Sequence, residues 1–304
     1  MTEEDRILHA LQSKLQRELE TYNLTPMEDI DNLSPADLNI ILYKTFDKDS
    51  PIGFRDDVDY TILEHVPFLK LSLKYFEILK DRGKVKLTKR GNLPRNLCFE
   101  LYNTRIIEED YIERGIVKLN KEGDTVAIQN VKIISLLCGL TKKRKNEISM
   151  TMNGEKYLQE ESKKDLFELL FRTNCQKFNL GYHDGYPQGI GIQDTLGYTL
   201  YLLLRYGSED RTVDFYINKI VTAFPSILNH FEERWMSRLE QFRSCFETRV
   251  LERFLKYYDF IQYGNKRSPL SSKGPIDLKT TDSFRAIFEL RGPKFKFKKS
   301  GHWA

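Results

Sequence analysis

"IISLLCGLTKKRKNEISMTMNGEKYL", Ile133 to Leu158, is the stretch that decides how this chain is expected to fold. Apolar residues at helical spacing lead into four consecutive bases, Lys142, Lys143, Arg144 and Lys145. Glu147-Ile148-Ser149-Met150 then alternates polar and apolar, the period of a strand with one buried face. A helix, a basic hairpin tip and a half-buried strand follow from that order. Thr151 comes next, placed so that its hydroxyl can accept a free backbone N–H of a following helix.

The same order recurs in "YFEILKDRGKVKLTKRGNL", Tyr75 to Leu93, and in "FLKYYDFIQYGNKRSPLSSKGPIDLKTTDSF", Phe254 to Phe284. Thr88, Thr151 and Thr280 or Thr281 close the three stretches, and the first two share T-x-x-G through Gly91 and Gly154. Thr88 and Thr151 lie 63 residues apart and Thr151 and Thr280 lie 129 apart, about twice that. Such an interval implies repeated modules, one of which has lost its signature.

Val85, Leu87, Thr88 and Gly91, and again Ile148, Met150, Thr151 and Gly154, match the V-x-L-T-x-x-G pattern. The stretch resembles the wing of the winged-helix module in bacterial multiple-antibiotic-resistance-type regulators, over about twenty residues per copy. Only "DRGK" separates helix and strand in the first copy, so its wing would be very short; the third has a long tip, "GNKRSPLSSKGP". The resemblance implies a mainly α fold with small β-hairpins (α+β), several winged-helix-like modules packing with a helical N-terminal region. Unrelated helix–hairpin–helix segments are the alternative. The order "LSPADLNIILYKTF", "SPIGF" and "KLTKRGNLPRNLCFELY" is also similar to a group of bacterial proteins with no established activity, which implies no function.

Around these stretches the chain divides into an acidic helical region (1–64), two winged-helix-like modules (65–125 and 126–165), a Gly-rich loop with an aromatic helical region (166–245), and a third module with a basic tail (246–304). In the first region Ile7, Leu8, Leu11, Leu15 and Leu19 fall on one helical face, and Ser34 before Pro35 reads as an N-cap. The aromatic spacing of Thr212 to Tyr263 fits a long helix or helix pair packed in a core.

The 304 residues, 40% hydrophobic and 30% charged, describe a globular chain. No secretory leader is expected from the acidic start "MTEEDR", no apolar run is long enough for a membrane span, and four scattered cysteines without metal or redox spacing fit a cytoplasmic compartment. Up to Glu64 there are 6 Lys/Arg against 15 Asp/Glu, a balance of −9; the remainder has 42 against 29, or +13, making the whole-chain +4. That asymmetry suits a polyanionic partner for the body of the protein, although ordinary solvated surfaces would give the same counts.

The candidate nucleic-acid-binding residues are Lys142, Lys143, Arg144 and Lys145 on one tip, Lys84, Lys86, Lys89 and Arg90 in the first copy, and Lys266 and Arg267 in the third. At hairpin tips they could reach phosphates; the plainer reading is lysines that keep edge strands soluble. The helix before each wing would be the base-reading one. "FLKLSLKYFEILK" could expose Lys70, Lys74, Glu77 and Lys80, whereas "NVKIISLLCG" is nearly all apolar, with Gln129, Asn130 and Lys132 only at its start, and is expected to be buried. In the tail, Phe295 and Phe297 alternate with Lys294, Lys296 and Lys298; packing of the rings is preferred to base stacking.

No strong catalytic or phosphate-loop motif occurs. The enzyme-like exception is "NLGYHDGYPQGIGIQDTLG", which gathers Tyr182, His183, Asp184, Tyr186 and Asp194 among glycines, but a structural loop is the stronger reading. The expected function is therefore a non-enzymatic nucleic-acid-binding protein, DNA first, without a cofactor or metal. The alternative is a protein-interaction or oligomerisation scaffold, with self-association between copies.

Overall fold

The computed structural model describes residues 2–159, 162–182, 184–187, 189–233, 236–264 and 276–292. It is mainly helical, with three small antiparallel sheets.

The N-terminal region holds α1 (Glu3–Leu24), α2 (Pro35–Tyr43) and β1 (Ile52–Phe54). The cap of α2 is the one its sequence predicts: Ser34 Oγ accepts from Asp37 N, Asp37 reaches back to the Ser34 backbone, and Pro35 opens the helix.

Two units of similar element order follow, the first with two short helices that the second lacks. The first runs through α3 (Tyr60–Leu63), α4 (Pro67–Arg82), β2 (Val85–Lys86), α5 (Arg95–Tyr102), α6 (Asp110–Glu113), α7 (Val126–Leu137), β3 (Thr141–Arg144) and β4 (Glu147–Met150). After α8 (Met152–Lys156) and α9 (Lys163–Gln176), the second runs through α10 (Leu196–Tyr206), β5 (Arg211–Thr212), α11 (Val213–Ala223), α12 (Arg238–Phe246), a π-helical continuation (Glu247–Leu255), β6 (Ile261–Tyr263) and β7 (Asp277–Thr280). The chain then forms α13 (Asp282–Ile287) and β8 (Phe288–Leu290), which pairs with β1.

Strand pairing shows the repeat directly. In the first unit β4 lies between β2 and β3; in the second, β7 lies between β5 and β6. Val85 pairs with Ile148 and Lys86 with Glu147, as Arg211 pairs with Leu278 and Thr212 with Asp277. The Val85–Lys86 stretch, expected to carry a hairpin of its own, is instead the third strand of the Thr141–Met150 hairpin. The boundary expected between residues 125 and 126 therefore falls inside one unit, immediately before α7.

Hydrogen bonding repeats as well. The helix leading into the last two strands of each unit ends at a left-handed residue, Gly139 (φ 70°) and Asp259 (φ 56°). The threonine after each hairpin donates its hydroxyl back to that residue's carbonyl: Thr151 to Gly139 at 2.8 Å and Thr281 to Asp259 at 2.6 Å. Each hydroxyl also accepts the N–H three residues on, Gly154 at 2.9 Å and Phe284 at 3.2 Å, and so caps the next helix. Thr88 differs: its hydroxyl accepts from Asn92 N and closes a turn.

The N-terminal region, α9, the second unit and β8 meet on an aromatic core. Phe171 of α9 has the rings of Phe46, Phe54, Phe254, Tyr258, Phe260 and Phe288 around it at centroid distances of 4.9–6.1 Å. The aromatic spacing of 212–263 thus serves packing.

Candidate nucleic-acid interface

Alternation along the first unit's sheet sorts its side chains. Val85, Leu87, Ile148 and Met150 are buried, and they line the face that packs on the body. Lys86, Glu147 and Arg144 stand in one row across the three strands, and Lys142 opposite Ser149 shares their side. With strands roughly 4.8 Å apart, Lys86 and Arg144 lie about 10 Å apart across the sheet. Lys84 comes within 3.9 Å of Glu147, the one carboxylate among these bases.

The tip is pinned to the neighbouring turn. Lys145 and Asn146 take left-handed φ values of 50° and 59° to turn the hairpin. Asn146 Nδ2 donates to the carbonyls of Leu87 and Thr88 at 3.0 and 3.2 Å, and Leu87 N donates to Asn146 O at 2.9 Å. That turn carries Lys89 and Arg90 and closes through Gly91, whose φ is 78°. Lys143, in the row of Val85 and Ile148 and so on the face opposite Lys142 and Arg144, is exposed and reaches the turn, where a Cβ on Gly91 would lie 2.5 Å from its Nζ.

Eight of the ten candidate residues therefore converge: Lys84, Lys86, Lys89, Arg90, Lys142, Lys143, Arg144 and Lys145 are all exposed and belong to one sheet and its adjoining turn. Segments 52 or more residues apart in sequence share one cationic surface, because β2 is a strand of the same sheet. Lys266 and Arg267 lie outside the described residues, as do Lys294, Phe295, Lys296, Phe297 and Lys298.

The helices that would read bases are otherwise engaged. In α7, Gln129, Asn130 and Lys132 are buried, and the helix packs against α4, α5 and α9. Its N-terminus is capped from outside by Glu109, which accepts from Thr125 Oγ1, Val126 N and Ala127 N at 2.8–3.1 Å. In the second unit the corresponding helix lines a cleft of about 400 Å³ with Glu108 and Glu109 facing Glu247, Glu252, Arg253 and Lys256. Burial pushes the Glu109 and Glu247 carboxyls above their ordinary range. The second unit's carboxylates are engaged within the chain: Glu247 with Arg243 at 3.0 Å, and Glu252 with Tyr263 at 2.6 Å and Lys256 at 3.0 Å. An acidic cleft repels a phosphate backbone.

The Gly-rich loop is a clamp. Asp184 is buried and lies 2.5 Å from the Arg249 guanidinium, which also donates to the Gly189 and Tyr186 carbonyls. The loop is thereby tied to the π-helical segment, and nothing in the sequence pointed to Arg249 as its partner. His183 lies outside the described residues. Among the described residues no cluster of His, Cys, Asp or Glu could hold a metal ion, and no helix is long and apolar enough to cross a membrane. No family model matches the chain, and neither does any curated protein or solved structure.

Proposed function

We propose that residues 67–150 and 196–280 are two winged-helix units and that the chain binds nucleic acid, duplex DNA first, through the basic sheet and tip of the first unit. The observation that carries this reading is the convergence of Lys84, Lys86, Lys89 and Arg90 with Lys142–Lys145, all exposed, on one sheet and its adjoining turn, with Glu147 the one acidic residue within those segments. Guanidinium and ammonium groups so placed contact phosphates and carry no sequence information by themselves. Because α7 is buried and the second unit's helix lines an acidic cleft, binding by this surface discriminates weakly between sequences.

Anisotropy titrations of two unrelated duplexes across a range of salt test the proposal. Affinity should fall linearly on a log–log plot and differ little between the duplexes. The variant Lys142→Ala/Lys143→Ala/Arg144→Ala/Lys145→Ala should lower the slope by about 0.9 for each phosphate contact removed. Absence of duplex binding, or an unchanged slope, overturns it.

A second reading, a protein-interaction scaffold, is favoured by the same burial of α7, which keeps Gln129, Asn130 and Lys132 out of any groove. Salt-insensitive association without duplex binding would select it.

A further inference from the structure

Helix α1 turns its apolar side to solvent. Ile7, Leu8, Leu11, Leu15, Leu19 and Tyr22 are 52–59 % exposed, and no residue of the helix is buried. Between Glu3 and Asn23 only Ser13 is partly covered, and at 100° per residue it lies on the side opposite Leu11 and Leu15. The helix is also fixed at its start by a Thr2–Asp5 capping box. An apolar strip of this length on an otherwise polar helix marks an association surface.

We infer that α1 pairs antiparallel with α1 of a second copy of this chain. Two features choose that occupant. Leu8, Leu11, Leu15, Leu19 and Tyr22 are spaced 3, 4, 4 and 3 residues apart, a pattern that reads the same in both directions. A two-fold axis at Leu15 therefore sets Leu15 on its counterpart, Leu11 on Leu19 and Leu8 on Tyr22, as an isologous interface requires. The second feature is charge. Lys14 and Glu18 flank the stripe on the same edge, 3.9 Å apart within one helix. Antiparallel helices bring like edges together, so each Lys14 meets the partner's Glu18; parallel helices would set that edge against Gln12 and Gln16 on the other. A lipid surface is disfavoured, because α1 carries five acids, Glu3, Glu4, Asp5, Glu18 and Glu20, against three bases, Arg6, Lys14 and Arg17.

Sedimentation equilibrium of the full chain at micromolar concentration should give twice the 35.9 kDa of one chain. Leu11→Glu/Leu15→Glu should return the monomer mass with an unchanged melting transition, since these side chains touch no core. Under oxidation Leu15→Cys should form a covalent dimer and Leu8→Cys should not. A wild-type monomer overturns the inference, whether or not it floats with phosphatidylcholine vesicles, flotation assigning the stripe to a membrane and its absence to another protein. A dimer indifferent to the double substitution overturns it too, and cross-linking through Leu8→Cys overturns the antiparallel arrangement.

Discussion

Lys132 Nζ lies 2.5 Å from Glu122 Oε1 and 2.7 Å from Glu122 Oε2, and both side chains are buried beneath the turn that carries Gly91. The same ammonium donates to Gly91 O at 3.3 Å, and Glu122 Oε2 accepts from Leu93 N at 2.5 Å. A lysine in the middle of α7, the helix preceding the basic hairpin, is thus spent on holding the turn with Lys89 and Arg90 in place. Lys132→Met leaves a buried carboxylate unpaired, which should cost about 3–5 kcal/mol. Adding Glu122→Gln keeps an acceptor for Leu93 N and should recover part of that loss. Urea denaturation measures both. A Lys132→Met protein of unchanged stability but altered duplex binding would return Lys132 to the interface.

Thr151 and Thr281 do the same work in the two units, so Thr151→Ala and Thr281→Ala should each cost about 1 kcal/mol. Their sites belong to different sheets, and the double variant should show the sum. Thr88→Ala, which loses only a turn contact on an exposed residue, should cost less than either. Thermal melts of the four proteins decide the matter; a Thr88→Ala loss equal to the others would contradict the two-unit assignment.

These threonines also show how far the sequence could be read. The helix, basic tip and alternating strand around Lys142–Lys145 were legible because period and turn chemistry are local, as was the burial of α7 from its apolar composition. The partner strand was not. Val85–Lys86 and Arg211–Thr212 are two residues long, and pairing across some sixty residues leaves no periodic trace; hence one three-stranded unit read as two modules. The spacing of α1 predicted an apolar face correctly but said nothing of whether this chain covers it. Arg249 was invisible for the same reason: a buried base sitting 65 residues from Asp184 has no local signature.

That pair, Arg249 with Asp184, yields a test of the Gly-rich loop. Asp184→Ala strands a guanidinium that is 3 % exposed, and the expected loss is about 3–5 kcal/mol. Arg249→Met, which removes the charge in the opposite sense, should destabilise comparably, because Asp184 is left without its partner. Chemical denaturation of each variant checks this. Stability near wild type for Asp184→Ala would mean the carboxylate is free for chemistry after all.

Glu109 gives the pH prediction. Burial raises its carboxyl pKa above the ordinary value of 4.5, and three hydrogen bonds that favour the charged form only partly offset that. A folded-state pKa above the unfolded one means the native protein holds this proton more tightly. Its contribution to stability is therefore present in acid and is lost as pH rises from the ordinary carboxylate range through the elevated folded value. Glu109→Gln cannot ionise, yet it keeps a carbonyl to accept from Val126 or Ala127. The difference in urea midpoint between Glu109→Gln and wild type should move in the variant's favour as pH rises through that window. Removing the cap altogether, in Glu109→Ala, should cost about 1–2 kcal/mol in addition, since it frees two backbone N–H groups at the start of a buried helix. A midpoint difference between wild type and Glu109→Gln that stays constant from acid to neutral pH would show that this carboxyl titrates alike in both states.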